Sequence, residues 1–324
     1  MSFKVLFVSA FFESDNTVNY TMPFIDRQME SLKQAGIDVI PFSLKTYKSR
    51  LNYVSLAPLI KNIIINENIS IVHAHYIYSV VPCIINKKVP IVLSLMGTDV
   101  FGKVGKKFKN KIKTLINRLL ISTLLPRCDA VIVKSNEMKK IISHPNIHVI
   151  PNGIDFKTFR PMDMSLAKKF LDLCTDRSVI LFAGNPENPG KNYDLALQVY
   201  KKVLNKYPNV DLIPLKNISH SKVPFYLNAA SCLLLTSFKE GSPNILKEAL
   251  ACNVPVVSVD VGDVAERLHG LDMCAICDFD ADALTKHIYR ILENPGRPEL
   301  RDKIRYLDNR LIANKINKLY RTLL

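Results

Sequence analysis

The feature that most constrains the fold is a recurrence of short, nearly continuous apolar runs separated by stretches of helical periodicity. In the first half of the chain the runs are Lys4–Ser9, Asp38–Phe42, Ile69–His73, Ile91–Leu95, Ala130–Val133 and His148–Ile150. In the second half they are Val179–Ala183, Asp211–Leu215, Cys232–Leu235, Pro255–Val259 and Cys274–Cys277. Apolar strands that alternate with helices are typical of parallel sheets covered on both faces. The two sets therefore predict an α/β protein with two doubly wound domains.

The chain of 324 residues is long for one core, which also favours two domains. Turn-forming residues at Pro151–Asp155 follow a predicted strand and precede a stretch without periodicity. We therefore expect a first domain over residues 1–155, a second over 156–305 and a basic terminal helix over 306–324.

The segment most informative about function contains two glutamates, Glu240 and Glu248, with a helix start between them. Ser242 is expected to be the N-cap residue and Pro243 the first helical residue, because proline loses no hydrogen bond there. This arrangement predicts Glu240 on a loop and Glu248 inside the helix. Unpaired N–H groups at a helix start suit an anion, and carboxylates accept hydrogen bonds from hydroxyls.

This segment resembles the E-x7-E segment of retaining glycosyltransferases of family GT4, which have the GT-B fold. Weaker matches to the family are Ile71–His75, Asp129–Ser135, Val149–Asp155 and Val223–Ala230. The resemblance implies two Rossmann-like domains that face each other across a cleft. It also implies a terminal helix that packs back on the first, acceptor-side domain, while the second domain binds a nucleotide-sugar.

The resemblance implies roles for the donor-binding residues. Glu240 would contact the hydroxyls of the donor sugar and Glu248 the ribose. Lys191, in a loop after a predicted strand, would bind the diphosphate, so Glu240 and Lys191 are the expected catalytic residues. Besides Glu248, the expected donor-binding residues are Gly184, Asn185, Gly241, Ser242, Pro243 and Asn244. Asn185 stands where the family commonly has an arginine, which removes one positive charge from the phosphate site.

On the acceptor side, the turn containing Met96, Gly97 and Asp99 resembles a family turn that carries a histidine, and Met96 occupies the histidine position. Methionine neither transfers protons nor donates a strong hydrogen bond. Asp99 has the alternative of capping a helix. The loop from Ser9 to Pro23 is interpreted as a further acceptor-side loop.

A basic stretch follows this turn, with Lys103, Lys106, Lys107, Lys109, Lys111 and Lys113. Apolar residues recur within it at helical spacing, which predicts a basic amphipathic helix bound to a membrane surface. The alternative is a helix whose apolar side packs in the core.

The net charge of +15 indicates acidic partners and does not choose among phosphates, anionic lipids and nucleic acids. No recognised nucleic-acid module is present, so we expect no nucleic-acid partner. No apolar run is long enough to span a membrane, and the odd number of cysteines suits a reducing cytoplasm. Two histidines, His73 and His75, have the spacing of metal ligands on a strand, but packing is the favoured interpretation because no third ligand is evident.

The residues and the resemblance together predict a cytoplasmic glycosyltransferase, peripheral on the inner face of the cell membrane. It would move a sugar from a nucleotide-sugar to a hydroxyl of a glycan or lipid-linked acceptor in cell-envelope polysaccharide assembly. The nucleotide-sugar is a substrate, and neither a cofactor nor a metal is expected. The alternatives are a GT-B nucleotide-sugar epimerase and a catalytically degenerate membrane-associated partner.

Overall fold

A computed structural model describes residues 3–10, 23–44, 50–102 and 108–324, with the side chains of residues 50, 51, 108–111 and 113 left out. The chain divides into two compact units. One comprises Met1–Gly153 together with Asn309–Leu324, and the other comprises Ile154–Asp308.

Each unit contains one parallel sheet. The strands of the first unit are β1 (Lys4–Ser9), β2 (Asp38–Ser43), β3 (Ile69–His75), β4 (Ile91–Ser94), β5 (Ala130–Val133) and β6 (Ile147–Val149). Those of the second unit are β7 (Ser178–Phe182), β8 (Val210–Pro214), β9 (Cys232–Leu235), β10 (Val256–Val259) and β11 (Ala275–Cys277). The strand orders are β2-β1-β3-β4-β5-β6 and β11-β10-β9-β7-β8. The prediction of two doubly wound parallel sheets is confirmed.

The described α-helices lie between these strands, except for the last two, which follow β11. They are α1 (Pro23–Gln34), α2 (Ala57–Asn66), α3 (Val81–Ile85), α4 (Thr98–Phe101), α5 (Phe108–Leu124), α6 (Asn136–Ile141), α7 (Met164–Phe170), α8 (Tyr193–Lys206), α9 (Val223–Ala229), α10 (Asn244–Ala251), α11 (Val264–Leu268), α12 (Ala281–Glu293) and α13 (Asn309–Arg321). None of the described helices is both long and apolar enough to cross a bilayer.

The strands are apolar along their length because both faces of each sheet are covered. In β1, Leu6 and Val8 belong to one hydrophobic cluster, whereas Val5 and Phe7 belong to another on the opposite face. Side chains alternate between the faces of a strand, so a strand covered on both sides must be apolar at successive positions.

Helix α13 packs with the first unit although it lies at the far end of the sequence. Ile312, Ile316 and Tyr320 are buried in the same cluster as Phe7. The Tyr320 hydroxyl lies 2.5 Å from Nδ1 of His73 on β3. Leu311 is 47% exposed because it lies just outside the buried stripe.

Candidate functional site

The candidate donor-binding residues lie in loops at the carboxyl edge of the second sheet. Strands β10, β9 and β7 are consecutive neighbours in that sheet, and their parallel direction brings the following loops to one edge. Ligands of doubly wound folds bind at this edge.

Lys191 and Glu240 form an ion pair between two of these loops. Nζ of Lys191 lies 2.6 Å from Oε1 of Glu240, and their side chains are 24% and 18% exposed. The hydroxyl of Thr236 donates to the carbonyl oxygen of Lys191 at 3.0 Å, and the N–H of Phe238 donates to that of Gly190 at 3.0 Å. The loops after β7 and β9 are thus tied together, and the two residues expected to be catalytic are in direct contact.

Gly184 provides the space for the Lys191 side chain. A Cβ atom at this position would lie 2.8 Å from Cδ and 2.9 Å from Cε of Lys191. The neighbouring Asn185 turns its side-chain oxygen to the N–H of Glu187 at 3.0 Å. This contact stabilises the loop itself.

Helix α10 begins one residue later than expected. Its N-cap residue is Pro243, with an extended backbone and no side-chain cap, and its first helical residue is Asn244. The expectation that Ser242 caps the helix is wrong, because its hydroxyl donates to Oδ2 of Asp263 at 2.8 Å. Gly241 and Pro243 are buried, whereas Ser242 and Asn244 are half-buried.

Glu248 lies inside α10, as expected, and is only 4% exposed. Its Oε1 lies 3.5 Å from Nε2 of His220, a residue in the loop after β8. That nitrogen makes no hydrogen bond within the described residues, so the contact is a close approach rather than a directed hydrogen bond. The His220 ring also packs edge-on against Phe159. No sequence pattern marked His220, because its position depends on the fold of a separate loop.

The loop after β10 presses against the Glu240 loop. Gly262 has a φ angle of +62°, and a Cβ atom there would lie 2.9 Å from the carbonyl oxygens of both Glu240 and Gly241. Only glycine satisfies both the conformation and the close approach. The sequence offered one signal for this loop, a glycine three residues after the end of a strand.

In the first unit, the turn after β4 is held by Asp99. The fully buried carboxylate accepts the N–H groups of Met96 and Gly97, both at 2.9 Å. Burial raises the pKa of Asp99 to about 6, and these backbone hydrogen bonds oppose the shift. Gly97, with φ of +103°, is the N-cap residue of α4, so Asp99 stabilises the turn from within the helix and is not its cap.

His73 and His75 are fully buried and stacked on each other, with ring centroids 4.2 Å apart. His73 contacts Ser94 and Tyr320, and His75 contacts Gln28. Burial lowers the pKa of both rings well below the usual value. Among the described residues, no group of three or more His, Cys, Asp or Glu side chains is placed to hold a metal ion.

The predicted basic helix corresponds to α5. Lys103, Lys106 and Lys107 and most of the Ser9–Pro23 loop lie outside the described residues, and Lys109, Lys111 and Lys113 are placed by their backbone alone. The apolar positions Ile112, Leu115, Ile116 and Leu119 are 42%, 69%, 44% and 65% exposed. Their spacing places them on one face of the helix. This face is therefore not part of the core that the described residues of the unit form.

Two family models match the chain. The model for Glycosyltransferase Family 4 matches residues 9–158, and the model for Glycosyl transferases group 1 matches residues 214–294. The chain belongs to glycosyltransferase family 4. The E-x7-E segment lies within the second match.

Curated relatives of this GT4 chain include a Saccharomyces cerevisiae (strain YJM789) phosphatidylinositol N-acetylglucosaminyltransferase GPI3 subunit, 28% identical over 249 residues. This alignment covers 66% of the chain and 53% of the relative, so the chain spans about half the length of that protein. The Bacillus anthracis N-acetyl-alpha-D-glucosaminyl L-malate synthase is 23% identical over 69% of the chain and 65% of its own length.

The solved structures show the fold. A sucrose-phosphate synthase from Thermosynechococcus elongatus superposes with a TM-score of 0.80 at 18% identity, over 99% of each chain. Anabaena HepE in complex with UDP and glucose gives a TM-score of 0.70 at 15% identity, over 99% of this chain and all of that one. The family and these neighbours establish the GT-B fold.

Proposed function

We propose that this GT4 protein transfers a sugar from a nucleotide-sugar to an acceptor hydroxyl, with retention of the anomeric configuration. The observation that carries the proposal is the Lys191–Glu240 pair, held beside the start of α10 and in the same E-x7-E segment as the buried Glu248. This arrangement places a cation, helix N–H groups and two carboxylates at one edge of the sheet. Together they suit a diphosphate linked to two polyhydroxyl groups.

Each group has a proposed part in the reaction. Glu248 accepts hydrogen bonds from the ribose, and Glu240 accepts them from hydroxyls of the donor sugar. Lys191 and the N–H groups at the start of α10 stabilise the diphosphate oxygen as the bond to the anomeric carbon breaks. The acceptor oxygen bonds to that carbon on the same face, and its proton passes to the departing phosphate oxygen. The Met96–Asp99 turn is the proposed acceptor contact in the first unit.

The names of the relatives guide the choice of acceptor. The Saccharomyces relative is named for transfer to phosphatidylinositol, and a Bacillus subtilis relative, 26% identical over 67% of the chain, is named a putative teichuronic acid biosynthesis glycosyltransferase. A lipid-linked or cell-envelope glycan acceptor is accordingly the proposed class.

The test is to follow nucleoside diphosphate release from a panel of nucleotide-sugars, with and without lipid-linked and glycan acceptors. Release that requires an acceptor and yields a retained linkage supports the proposal. Turnover without acceptor indicates an epimerase or a hydrolase. Absence of turnover together with absence of donor binding indicates a degenerate site.

We further propose that α5 binds an anionic membrane surface. Its exposed stripe, centred on Leu115 and Leu119, is apolar, and the sequence from residue 100 to residue 128 contains no acidic residue. An exposed apolar face flanked by lysines suits insertion at the level of anionic headgroups. Each lysine near such a surface contributes about 1 kcal/mol, so removing four would weaken binding by up to roughly a thousandfold.

The membrane proposal is tested by sedimentation with vesicles that contain phosphatidylglycerol. The variant replaces Lys106, Lys107, Lys109 and Lys111 with glutamine. A matched control removes four exposed lysines elsewhere in the same unit, Lys139, Lys140, Lys315 and Lys318. We expect loss of sedimentation in the first variant alone. Equal sedimentation of both variants and the wild type would overturn the proposal.

A further inference from the structure

A fully buried lysine lies next to the proposed donor-binding glutamate. Lys247 directly precedes Glu248 on α10 and is 0% exposed. Its Nζ donates to Oγ of Ser242 at 3.1 Å. A buried ammonium group is costly unless it is hydrogen-bonded and compensated by charge. Its position in the first turns of α10 therefore calls for a reason beyond packing.

The Ser242 hydroxyl has a defined direction. It donates its single hydrogen to Oδ2 of Asp263 at 2.8 Å and accepts from Lys247 with a lone pair. The three residues form a chain from ammonium to hydroxyl to carboxylate. Since Ser242 is the second residue after Glu240, this chain fixes the loop that leads into α10.

A second cation completes the group. Nε of Arg267 donates to the same Oδ2 of Asp263 at 2.9 Å, and its Nη1 donates to the Tyr306 hydroxyl at 2.8 Å. Burial alone would lower the pKa of Arg267, but the Asp263 charge and Tyr306 outweigh it, so the pKa is raised. With Lys247, the group contains two cations and one carboxylate.

The side chains of Lys247, Asp263 and Arg267 sum to a formal charge of +1. Asp263 is also 0% exposed, and its Oδ1 has no hydrogen-bond partner within the described residues. The adjacent Gly262 packs against the backbone of Glu240 and Gly241. Asp263 therefore contacts the loop that contains Glu240 in two ways, through the Ser242 hydroxyl and through the packing of the adjacent Gly262.

We propose that Lys247 is a positioning residue of the diphosphate site, which acts through Ser242 and supplies the excess positive charge of the group formed with Asp263 and Arg267. The inference rests on the proposed function. The charge acts most strongly on the state with the most negative diphosphate, which is the leaving group and the free nucleoside diphosphate product. Lys247 thereby adds to the charge stabilisation provided by Lys191.

The test measures binding of nucleoside diphosphates and of the matching nucleosides by calorimetry to the full chain. Lys247→Met, which keeps the length and removes the charge, should weaken diphosphate binding about tenfold and leave nucleoside binding unchanged. Lys168→Met is the matched control. Lys168 is a buried lysine of the same unit that donates to the carbonyl oxygens of Thr175 and Arg177 and should have no effect on binding.

The variant Asp263→Asn separates charge from structure. It retains an acceptor for Ser242 and Arg267 and raises the net charge of the group, so diphosphate binding should be equal to or tighter than that of the wild type. A purely structural role predicts weaker binding in both variants, which would overturn the inference. If Lys247→Met does not fold, the Asp263→Asn comparison still decides the question.

The outcomes for the two proposals can be told apart. If the wild type binds no nucleoside diphosphate, the proposed function fails. If the wild type binds and Lys247→Met binds equally well, the inference fails and the proposed function stands.

Discussion

The Lys191–Glu240 ion pair predicts opposite effects of one substitution on two ligands. Replacing Glu240 should strengthen binding of the free nucleoside diphosphate and slow turnover of the nucleotide-sugar. In the free protein, Oε1 of Glu240 lies 2.6 Å from Nζ of Lys191, so the carboxylate pairs with the ammonium group. A free nucleoside diphosphate has no sugar to engage Glu240, so its phosphate must compete with the carboxylate for the ammonium group. The variant Glu240→Gln removes the competing charge and keeps the shape. We therefore expect tighter binding of the free diphosphate.

The free energy with which Glu240 competes for Lys191 can be judged from the burial of the ion pair. Exposed pairs contribute about 0.2–1 kcal/mol, and breaking fully buried pairs costs about 3–5 kcal/mol. The side chains here are 24% and 18% exposed, which places the competition at about 1–2 kcal/mol. Diphosphate affinity should rise about 5- to 30-fold. The nucleotide-sugar should turn over more slowly, because the carboxylate that binds its hydroxyls is lost.

Calorimetry of both ligands checks this prediction, with Glu187→Gln as the control. Glu187 pairs with Lys216 at the same 2.6 Å, but these side chains are 69% and 38% exposed, so no change in diphosphate binding is expected. Unchanged or weaker diphosphate binding in Glu240→Gln would show that Lys191 is not the phosphate ligand, or that the pair does not compete with phosphate.

Three further predictions concern single side chains. Gly262→Ala should displace the carbonyl oxygen of Glu240 and lower kcat at least tenfold, as measured by initial rates at saturating donor; an unchanged kcat would contradict the close packing described above. The raised pKa of Asp99 means that its contribution to stability is present below its unfolded pKa, near 4, and is lost as pH rises through about 6. Chemical denaturation should therefore show the wild type losing about 2.5 kcal/mol relative to Asp99→Asn between pH 4 and pH 7. A difference in unfolding free energy between the two proteins that does not change with pH would contradict the raised pKa. Tyr320→Phe should cost about 1–3 kcal/mol of unfolding free energy, because Nδ1 of buried His73 loses its partner, and a loss below 0.5 kcal/mol would refute this.

The sequence predicted the strands well because burial on both faces leaves a local signature. The five consecutive buried residues of β1 form one apolar run that can be read without knowledge of the neighbouring strands. The end of α10 also has a local signature, because asparagine is one of the few residue types that adopt a left-handed conformation after a helix. Asn253 has this conformation, with φ of +58°, directly after the C-cap residue.

The contacts that were missed depend on tertiary structure. Ser242 looked like an N-cap because local chemistry permits that role, but Asp263, far along the chain, takes its hydroxyl. His220 reaches Glu248 from a separate loop. Neither contact is encoded in a spacing or a periodicity, so neither could be inferred before the two loops were placed at one edge of the sheet.

Lys191 and Glu240 are in contact in the second unit, and Glu248 is buried in helix α10 of the same unit. The departures from the family pattern, Asn185 and Met96, lie in different units. The buried Lys247 lies in the same unit as Asn185, the position at which the family commonly has an arginine.

The most direct test of the account is calorimetric titration of a nucleotide-sugar panel into the wild type and into Glu248→Ala. We expect at least one nucleotide-sugar to bind the wild type and the variant to bind it about 10- to 100-fold more weakly, because hydrogen bonds from the ribose to a charged carboxylate are lost. If no nucleotide-sugar binds the wild type, or if Glu248→Ala binds it with unchanged affinity while remaining folded, the donor assignment is contradicted.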